Sequence, residues 1–396
     1  MKTTDLYKKK KECCGCEACS LVCPSQIIHM QPDKEGFLYP VITDESGCIN
    51  CGRCLKVCPE KSPGRNPNHL IESFGGYSCD INEVKICSSG GYATAISREF
   101  VTLGGIVYGV RYTSDFEGVA YSRAQTIEEL DLFRTSKYVQ AAKNGIYAKV
   151  KEDLNRGKRV LFIGLPCEVS ALYHYVGRNT EELYTISLIC HGPTSPKVHY
   201  DFCRTLEKNC HSKLTKFSVR EKIKGWKPYY IFAEFENGKY TRFVYNKSNY
   251  GMAFIYMKRP SCSVCRYKYD DDSFGLIADL TLGDFHAVRK DMPHFNSWGV
   301  SQACVQTTKG SYLVNLIRDS CQIEPIPLER VITGNIAYMK AIPLKKQRGL
   351  FVYTYLLFSL KTACKLPTIF IEKLIEELKD NLIRLIIKVL RFCKLK

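Results

Sequence analysis

Acidic side chains are the scarce class in this 396-residue chain: 40 Asp and Glu stand against 57 Lys and Arg, for a formal net charge of +17. That balance suits nucleic acid, a membrane surface, an acidic redox partner or a polyanionic cofactor, and charge alone does not choose among them. No zinc-finger or helix-turn-helix spacing accompanies it, and the 25 tyrosines are scattered rather than grouped for base stacking, which argues against nucleic acid. Long apolar runs are also missing, since no charge-free stretch reaches the roughly 18 to 20 residues that span a bilayer. The opening MKTTDLYKKKKE has no apolar signal core behind its charges, so a reducing, cytoplasmic compartment is expected. With only 16 Pro and 45% hydrophobic residues, broad disorder is excluded and two or three globular domains are expected.

Cysteine, by contrast, is abundant at 21 residues, and its spacing carries the strongest signal. Cys13, Cys16, Cys19 and Cys23 precede Pro24, and the pattern repeats as Cys48, Cys51, Cys54 and Cys58 before Pro59. In a C-x2-C-x2-C-x3-C-P run three thiolates hold one 4Fe-4S cube, each on its own iron, while the fourth cysteine serves the other cube. Two 4Fe-4S clusters held crosswise are expected, one on Cys13, Cys16, Cys19 and Cys58, the other on Cys48, Cys51, Cys54 and Cys23. Structural zinc is the alternative, but zinc sites pair C-x2-C knuckles across longer loops. Cys14, which has no counterpart in the second run, is read as packing rather than ligating.

The breaker-rich Ser62-Pro63-Gly64-Arg65-Asn66-Pro67 closes this module, giving a ferredoxin-like domain over residues 1–66 built from an internal repeat of about 35 residues. The segment from Gly36 to Ile42 reads as a strand over one cluster. Beyond it, Ser88-Ser89-Gly90-Gly91 opens a helical stretch to Phe100, and Leu103-Gly104-Gly105 leads into the apolar run Ile106 to Val110. These glycines and serines either let backbone approach a ligand or simply make turns. Arg159 to Gly164 reads as a buried strand, Glu168 to Val176 as a helix and Leu183 to Ile189 as a second strand. A right-handed crossover makes the two strands parallel and puts Cys167 and Cys190 at one carboxyl edge, where α/β proteins hold ligands. Tyr229 to Glu236 and Tyr240 to Tyr245, around Asn237-Gly238, form a hairpin. The expected fold class is α+β: the ferredoxin-like domain, then an α/β body with a mixed sheet spanning residues 67–150 and 151–330, then a helical tail over 331–396.

Cys262 and Cys265, following Arg259-Pro260-Ser261, can join Cys167 and Cys190 in a third group of four thiols. That set suits another 4Fe-4S cluster. The alternatives are a nucleophilic or redox thiol at Cys167 and zinc or reduced thiols at Cys262 and Cys265.

The ordered motifs Ser88-Ser89-Gly90-Gly91, Gly104-Gly105, Ser136-Lys137-Tyr138-Val139-Gln140, Gly164-Leu165-Pro166-Cys167, Cys190-His191-Gly192, Arg259-Pro260-Ser261-Cys262-x2-Cys265 and Asp279-Leu280-Thr281-Leu282-Gly283-Asp284-Phe285 resemble the beta-subunit family of coenzyme F420 hydrogenases and dehydrogenases. Members with a fused ferredoxin domain match best, over roughly residues 10 to 310. The resemblance implies an FAD-containing iron-sulfur flavoprotein oxidoreductase, with the third cluster on Cys167, Cys190, Cys262 and Cys265. It implies a hydride-carrying small molecule on one side and a redox partner protein, ferredoxin-like or another subunit, on the other. The flavin region maps onto Ser88, Ser89, Gly90, Gly91, Gly104, Gly105, Ser136, Lys137 and Tyr138, where Lys137 could neutralise a phosphate or a reduced flavin and the glycines admit the cofactor's bulk. One departure stands out: the family commonly carries Trp after Gly-Asp-Phe, and this chain has His286. Two rival readings remain, a ferredoxin-type electron-transfer protein and a reductase of another organic substrate in a polysaccharide or cell-envelope pathway.

His191, beside Cys190, is the candidate catalytic residue, as a hydrogen-bond donor to a cluster sulfur, a proton donor to the flavin, or merely a strand-end cap. Cys87 is read as a packed residue that could neighbour the flavin. Cys79, Cys203, Cys210, Cys304, Cys321, Cys364 and Cys393 have no mutual spacing that suggests a site. From Leu366 onward, apolar residues recur at helical spacing, and Arg384, Lys388, Arg391, Lys394 and Lys396 stand without acids near the end. Such a helix either packs on its own domain, contacts an anionic membrane peripherally or binds a partner.

Overall fold

The computed structural model describes residues 6–177, 180–369, 375, 378, 379 and 381–383. Most of the proposed tail helix therefore lies outside the described residues. Within them, the α+β architecture read from sequence is present.

Thirteen strands are seen among the described residues: β1 (Ile28–Pro32), β2 (Leu38–Ile42), β3 (Glu72–Ser78), β4 (Ile106–Tyr112), β5 (Val119–Ala124), β6 (Val160–Gly164), β7 (Leu183–Leu188), β8 (Leu214–Glu221), β9 (Tyr230–Phe235), β10 (Tyr240–Val244), β11 (Leu280–Asp284), β12 (Ser301–Val305) and β13 (Cys321–Pro325). The principal sheet runs β13-β3-β12-β11-β7-β6-β4-β5. Its centre is parallel, β4 with β6, β6 with β7 and β7 with β11, and its flanks are antiparallel. Strands buried on both faces must be apolar throughout, which is why β6 reads Val-Leu-Phe-Ile-Gly without alternation. The sheet draws strands from both sides of residue 150.

The β6–β7 crossover has the expected form. Pro166 at the first turn presets helical φ, the Glu168 carboxylate accepts from the Leu165 amide at 2.9 Å, and the helix Pro166–Val176 ends at Gly177, whose φ of 81° leaves the helical region. Val169, Leu172 and Val176 are buried in the same cluster as Val160 and Phe162. The predicted hairpin is β9–β10, and β8 extends it to a second sheet, β10-β9-β8.

The cysteine-rich part is not a free appendage. Ala18 and Val57 share a buried cluster with Ile106, Phe162 and Leu172 of the α/β body. The breaker-rich stretch is packed down as well: the Pro63 carbonyl accepts from Ser170, the Pro59 carbonyl accepts from Tyr267, and the Arg65 guanidinium lies 4.6 Å over the Tyr173 ring. At the hairpin β1–β2, the Glu35 carboxylate pairs with Arg348, and a Cβ on Gly36, at φ 86°, would lie 2.4 Å from Lys197. Glycine is what lets this turn reach the start of the helix Pro196–Cys210.

Candidate redox site

The eight N-terminal cysteines sort by neighbourhood. Cys58 interacts electrostatically with Cys13, Cys16 and Cys19, and Cys54 with Cys51 and Cys23, with Cys19 within reach of Cys54 as well. The local backbone explains how each run folds around its own volume. Gly15, Glu17, Asn50 and Gly52 all have positive φ, so the chain turns sharply between successive cysteines. Burial pushes the Cys58 thiol up to about 12 and raises Cys54 and Cys19 as well. Thiols this costly to ionise fit a cationic iron centre that would stabilise the thiolate.

At the carboxyl edge of β6 and β7, Cys167, Cys190, Cys262 and Cys265 line one small cavity, together with Cys14. Burial raises Cys190 and Cys262 and pushes Cys265 up to about 11. The Cys14 thiol bonds to those of Cys16 and Cys167 and lines this cavity, while the residue packs, as expected, against the buried cluster of Ala18 and Val57. Among the described residues no group of three or more His, Cys, Asp or Glu converges as a single ion requires. A cube needs thiolates around a volume, one per iron, and not around a point. Cations are buried beside the thiols: Arg259, Lys258 and Lys268 are 1%, 7% and 5% exposed. Lys268 donates to the carbonyls of Cys190 at 3.0 Å and Ala337 at 2.5 Å. Four thiols ringed by buried cations fit an anionic iron-sulfur group.

A larger cavity of about 550 Å³ lies next to it, over the carboxyl half of β4, β6, β7 and β11. The two flavin segments read from sequence meet there: the Ser136 amide donates to the Ser88 hydroxyl at 2.7 Å, and the two hydroxyls are 3.0 Å apart. Gly90 is needed for packing, because a Cβ would lie 2.4 Å from the Gly76 carbonyl. Cys87, which also lines the cavity, is buried with its thiol 3.2 Å from the Thr94 hydroxyl.

Three expected members behave differently. Gly104 and Gly105 sit in the turn before β4, at the opposite end of that strand, with their amides bonded to the carbonyls of Val101 and Phe100. They do not join Ser88 and Ser136. Lys137 lines the cavity, but its ammonium donates to the carbonyls of Leu132, Phe133 and Arg134 at 3.2, 2.9 and 2.6 Å, which uses its three protons. Burial, reinforced by Arg111, lowers its pKa to about 7. It caps a turn and is not free to neutralise a phosphate.

The charge at this cavity comes from residues that the sequence motifs did not assign. Arg220 of β8 donates to the Tyr138 hydroxyl at 2.6 Å, the Ser88 carbonyl at 2.6 Å and the Asp284 carboxylate at 3.0 Å, with its guanidinium 3.8 Å from the Tyr229 ring centre. Burial, the largest single influence, would raise Asp284, but Arg220, His286 and the Ser89 side chain together outweigh it and hold the carboxyl below its usual range. His286 stands 3.7 Å from Asp284 and stacks on Trp226 at 5.8 Å. The buried Arg220 Nε, Arg134 Nε and Tyr245 hydroxyl have no protein partner among the described residues, and all three residues line the cavity. Unsatisfied polar atoms around a large, mainly apolar space fit a polar aromatic cofactor such as FAD.

Leu165, Glu168, Cys190, His191, Gly192 and Pro193 line both cavities. Glu168 is fixed there by a buried ion pair with Lys143 at 2.8 Å and by the Tyr121 hydroxyl at 2.5 Å. Burial, with Lys258 and Lys268 nearby, lowers His191 to about 4, so its imidazole is neutral near pH 7.

Residues 157–330 match the family described as the C terminus of the beta subunit of coenzyme F420 hydrogenase/dehydrogenase. Residues 12–62 match the 4Fe-4S dicluster domain. The chain is also similar to the probable anaerobic dimethyl sulfoxide reductase chain YnfG of Escherichia coli (strain K12), 39% identical over 67 residues, covering 16% of this chain and 30% of that protein. Ketoisovalerate oxidoreductase subunit VorC of Methanothermobacter marburgensis is 37% identical over 51 residues, 12% of this chain and 63% of that protein. The match thus spans under a third of the reductase chain and less than two thirds of the ketoisovalerate oxidoreductase protein. Among solved structures, a chain of the F420-reducing NiFe hydrogenase complex from Methanosarcina barkeri superposes with a TM-score of 0.45 and 19% identity, over 68% of this chain and 91% of that chain. The chain carries, behind a 4Fe-4S dicluster domain, the C-terminal domain of the coenzyme F420 hydrogenase/dehydrogenase beta-subunit family.

Proposed function

We propose that this chain is an iron-sulfur flavoprotein oxidoreductase that moves electrons between a hydride-carrying small molecule and a protein redox partner. In this reading FAD occupies the large cavity, a third 4Fe-4S cluster is held by Cys167, Cys190, Cys262 and Cys265, and the paired N-terminal clusters lead outward. The observation that carries the proposal is the wall shared by the two cavities, whose residues around Cys190 and His191 line both. When bound, these cofactors supply the division of an electron pair into single electrons, since hydride chemistry moves two and a cube moves one.

The chain's residues would do the rest. Arg220, Tyr138 and Ser88 hold three segments of the wall in one hydrogen-bonded network. Neutral His191 offers one ring N–H toward either side of the partition and adds no charge there. Buried Lys258 and Lys268 offset the negative charge of the inner thiolates.

Hydride exchange tests this directly. Anaerobic protein mixed with reduced F420 and a viologen acceptor should show dye reduction that depends on flavin. Transfer with NAD(P)H or another organic donor but not F420 would favour a reductase of a different substrate. Dye exchange with ferredoxin alone would leave only an electron carrier. The basic tail is proposed as a peripheral contact, so deleting residues 368–396 should lower membrane recovery without changing iron content.

A further inference from the structure

Arg259 occupies a position that the flavoprotein reading does not explain. It begins the turn bearing Cys262 and Cys265 and lines the small cavity with them, yet its hydrogen bonds reach into the N-terminal module. The guanidinium is 1% exposed and donates to the Cys13 carbonyl at 2.8 Å, the Leu38 carbonyl at 2.9 Å and the Gln140 side chain at 2.9 Å, with the Cys13 sulfur at 3.6 Å. Gln140 in turn donates to the carbonyls of Cys14 and Gly15 at 3.1 and 3.3 Å. A Cβ on Gly15, at φ 69°, would lie 2.6 Å from Gln140 and 2.7 Å from the Arg259 guanidinium, so the cysteine loop is shaped to admit both. Tyr39 covers the cation at 4.2 Å.

Among the described residues, none of these partners is a carboxylate. Of the two acids in the adjoining cavity wall, Glu168 is paired with Lys143, and Glu60 lies within electrostatic reach of Arg259 but makes no ion pair or hydrogen bond with it. The charges that act most strongly on Arg259 are those of Cys13, Cys14, Cys262 and Tyr39, ahead of Glu60. A buried guanidinium without a counter-anion costs several kcal/mol, and neutral carbonyls do not replace the missing charge.

We propose that Arg259 is a positioning residue that takes two iron-sulfur clusters as its counter-anions, the one at Cys13 and the one at Cys262. The inference rests on the cluster assignments above. Its fork holds the first cysteine loop on the α/β body, and its charge favours the added electron of reduction on both neighbouring cubes. The cluster on Cys48, Cys51, Cys54 and Cys23 contributes no atom to these contacts and should be little affected.

The experiment is a potentiometric titration followed by electron paramagnetic resonance on the full chain, purified anaerobically, as unsubstituted protein and as R259Q, R259M and R259K, with iron counted in each. At a fixed solution potential, R259Q and R259M should lower the reduced-to-oxidised ratio of the two inner clusters by on the order of tenfold, and R259K, which keeps the charge, should restore most of it. The outer cluster should keep its ratio. No change in the inner clusters at full iron content, or an equal change in all three, overturns the proposal. If the neutral variants lose iron, retention by R259K supports a charge role and loss in R259K as well overturns it. About eight irons in the unsubstituted protein would instead refute the third cluster and, with it, the two-sided link.

Discussion

The two ends of the cysteine series differ most in what surrounds them. At the outer end Cys51 is exposed, and Ile49 beside it is 66% exposed on the surface of the module. At the inner end Cys167, Cys190, Cys262 and Cys265 are partly buried around a small cavity beside three buried cations. An exposed cluster edge suits exchange with a separate protein, because the partner's redox centre can come close. An enclosed edge suits exchange with a bound cofactor, because water is excluded and fixed charges set the potential. In the proposed reading, the same residue type is placed for two jobs by its environment.

Removing a ligand from each end sharpens this contrast most. C51A and C262A should each lose about four of about twelve irons. C51A should abolish exchange with an external acceptor while hydride still reduces the flavin, whereas C262A should also stop electrons leaving it. Identical kinetic defects would break the distinction between port and reaction chamber.

A smaller effect is expected where the large cavity's charges are paired. D284N leaves the Arg220 guanidinium buried without its ion pair, and urea unfolding should report a loss of about 3 to 5 kcal/mol. A loss below about 1 kcal/mol would mean that Arg220 is satisfied by Tyr138 and Ser88 alone.

The smallest effect is a pH dependence in the α/β body. His199 is fully buried, with its ring nitrogens 3.0 Å from the Phe116 carbonyl and 3.2 Å from the Tyr250 hydroxyl, and burial lowers its pKa from 6.5 to about 4. The unfolded chain takes up this proton near 6.5 and the folded chain only near 4, so stability falls as pH drops through that window. The full contribution is about 3 kcal/mol, and H199Q should remove that part of the slope.

Much of this arrangement is legible in the sequence because its signals are local. The two cysteine runs, the strand-helix-strand from Val160 to Leu188 and the Asn237-Gly238 hairpin each combine spacing with a turn or a period. Ser88 and Ser136 also meet as the resemblance implies, whereas Gly104 and Gly105 are turn residues at the far end of β4. Arg220 carries no local signal, since it arrives from β8, a strand of the other sheet, and its role depends on tertiary placement. Asp284 lies inside a recognised motif, but its function needs Arg220 to be seen. Cys14 reads as packing because it breaks the repeat, and only the fold shows that it also faces the second group of thiols.

Anaerobic purification with iron, sulfide and flavin quantified together tests the central claim most directly. About twelve irons, matching sulfide and one flavin per chain are predicted, since each cube holds four irons. About eight irons without flavin would confine redox chemistry to the N-terminal module, and zinc in place of iron would contradict the account.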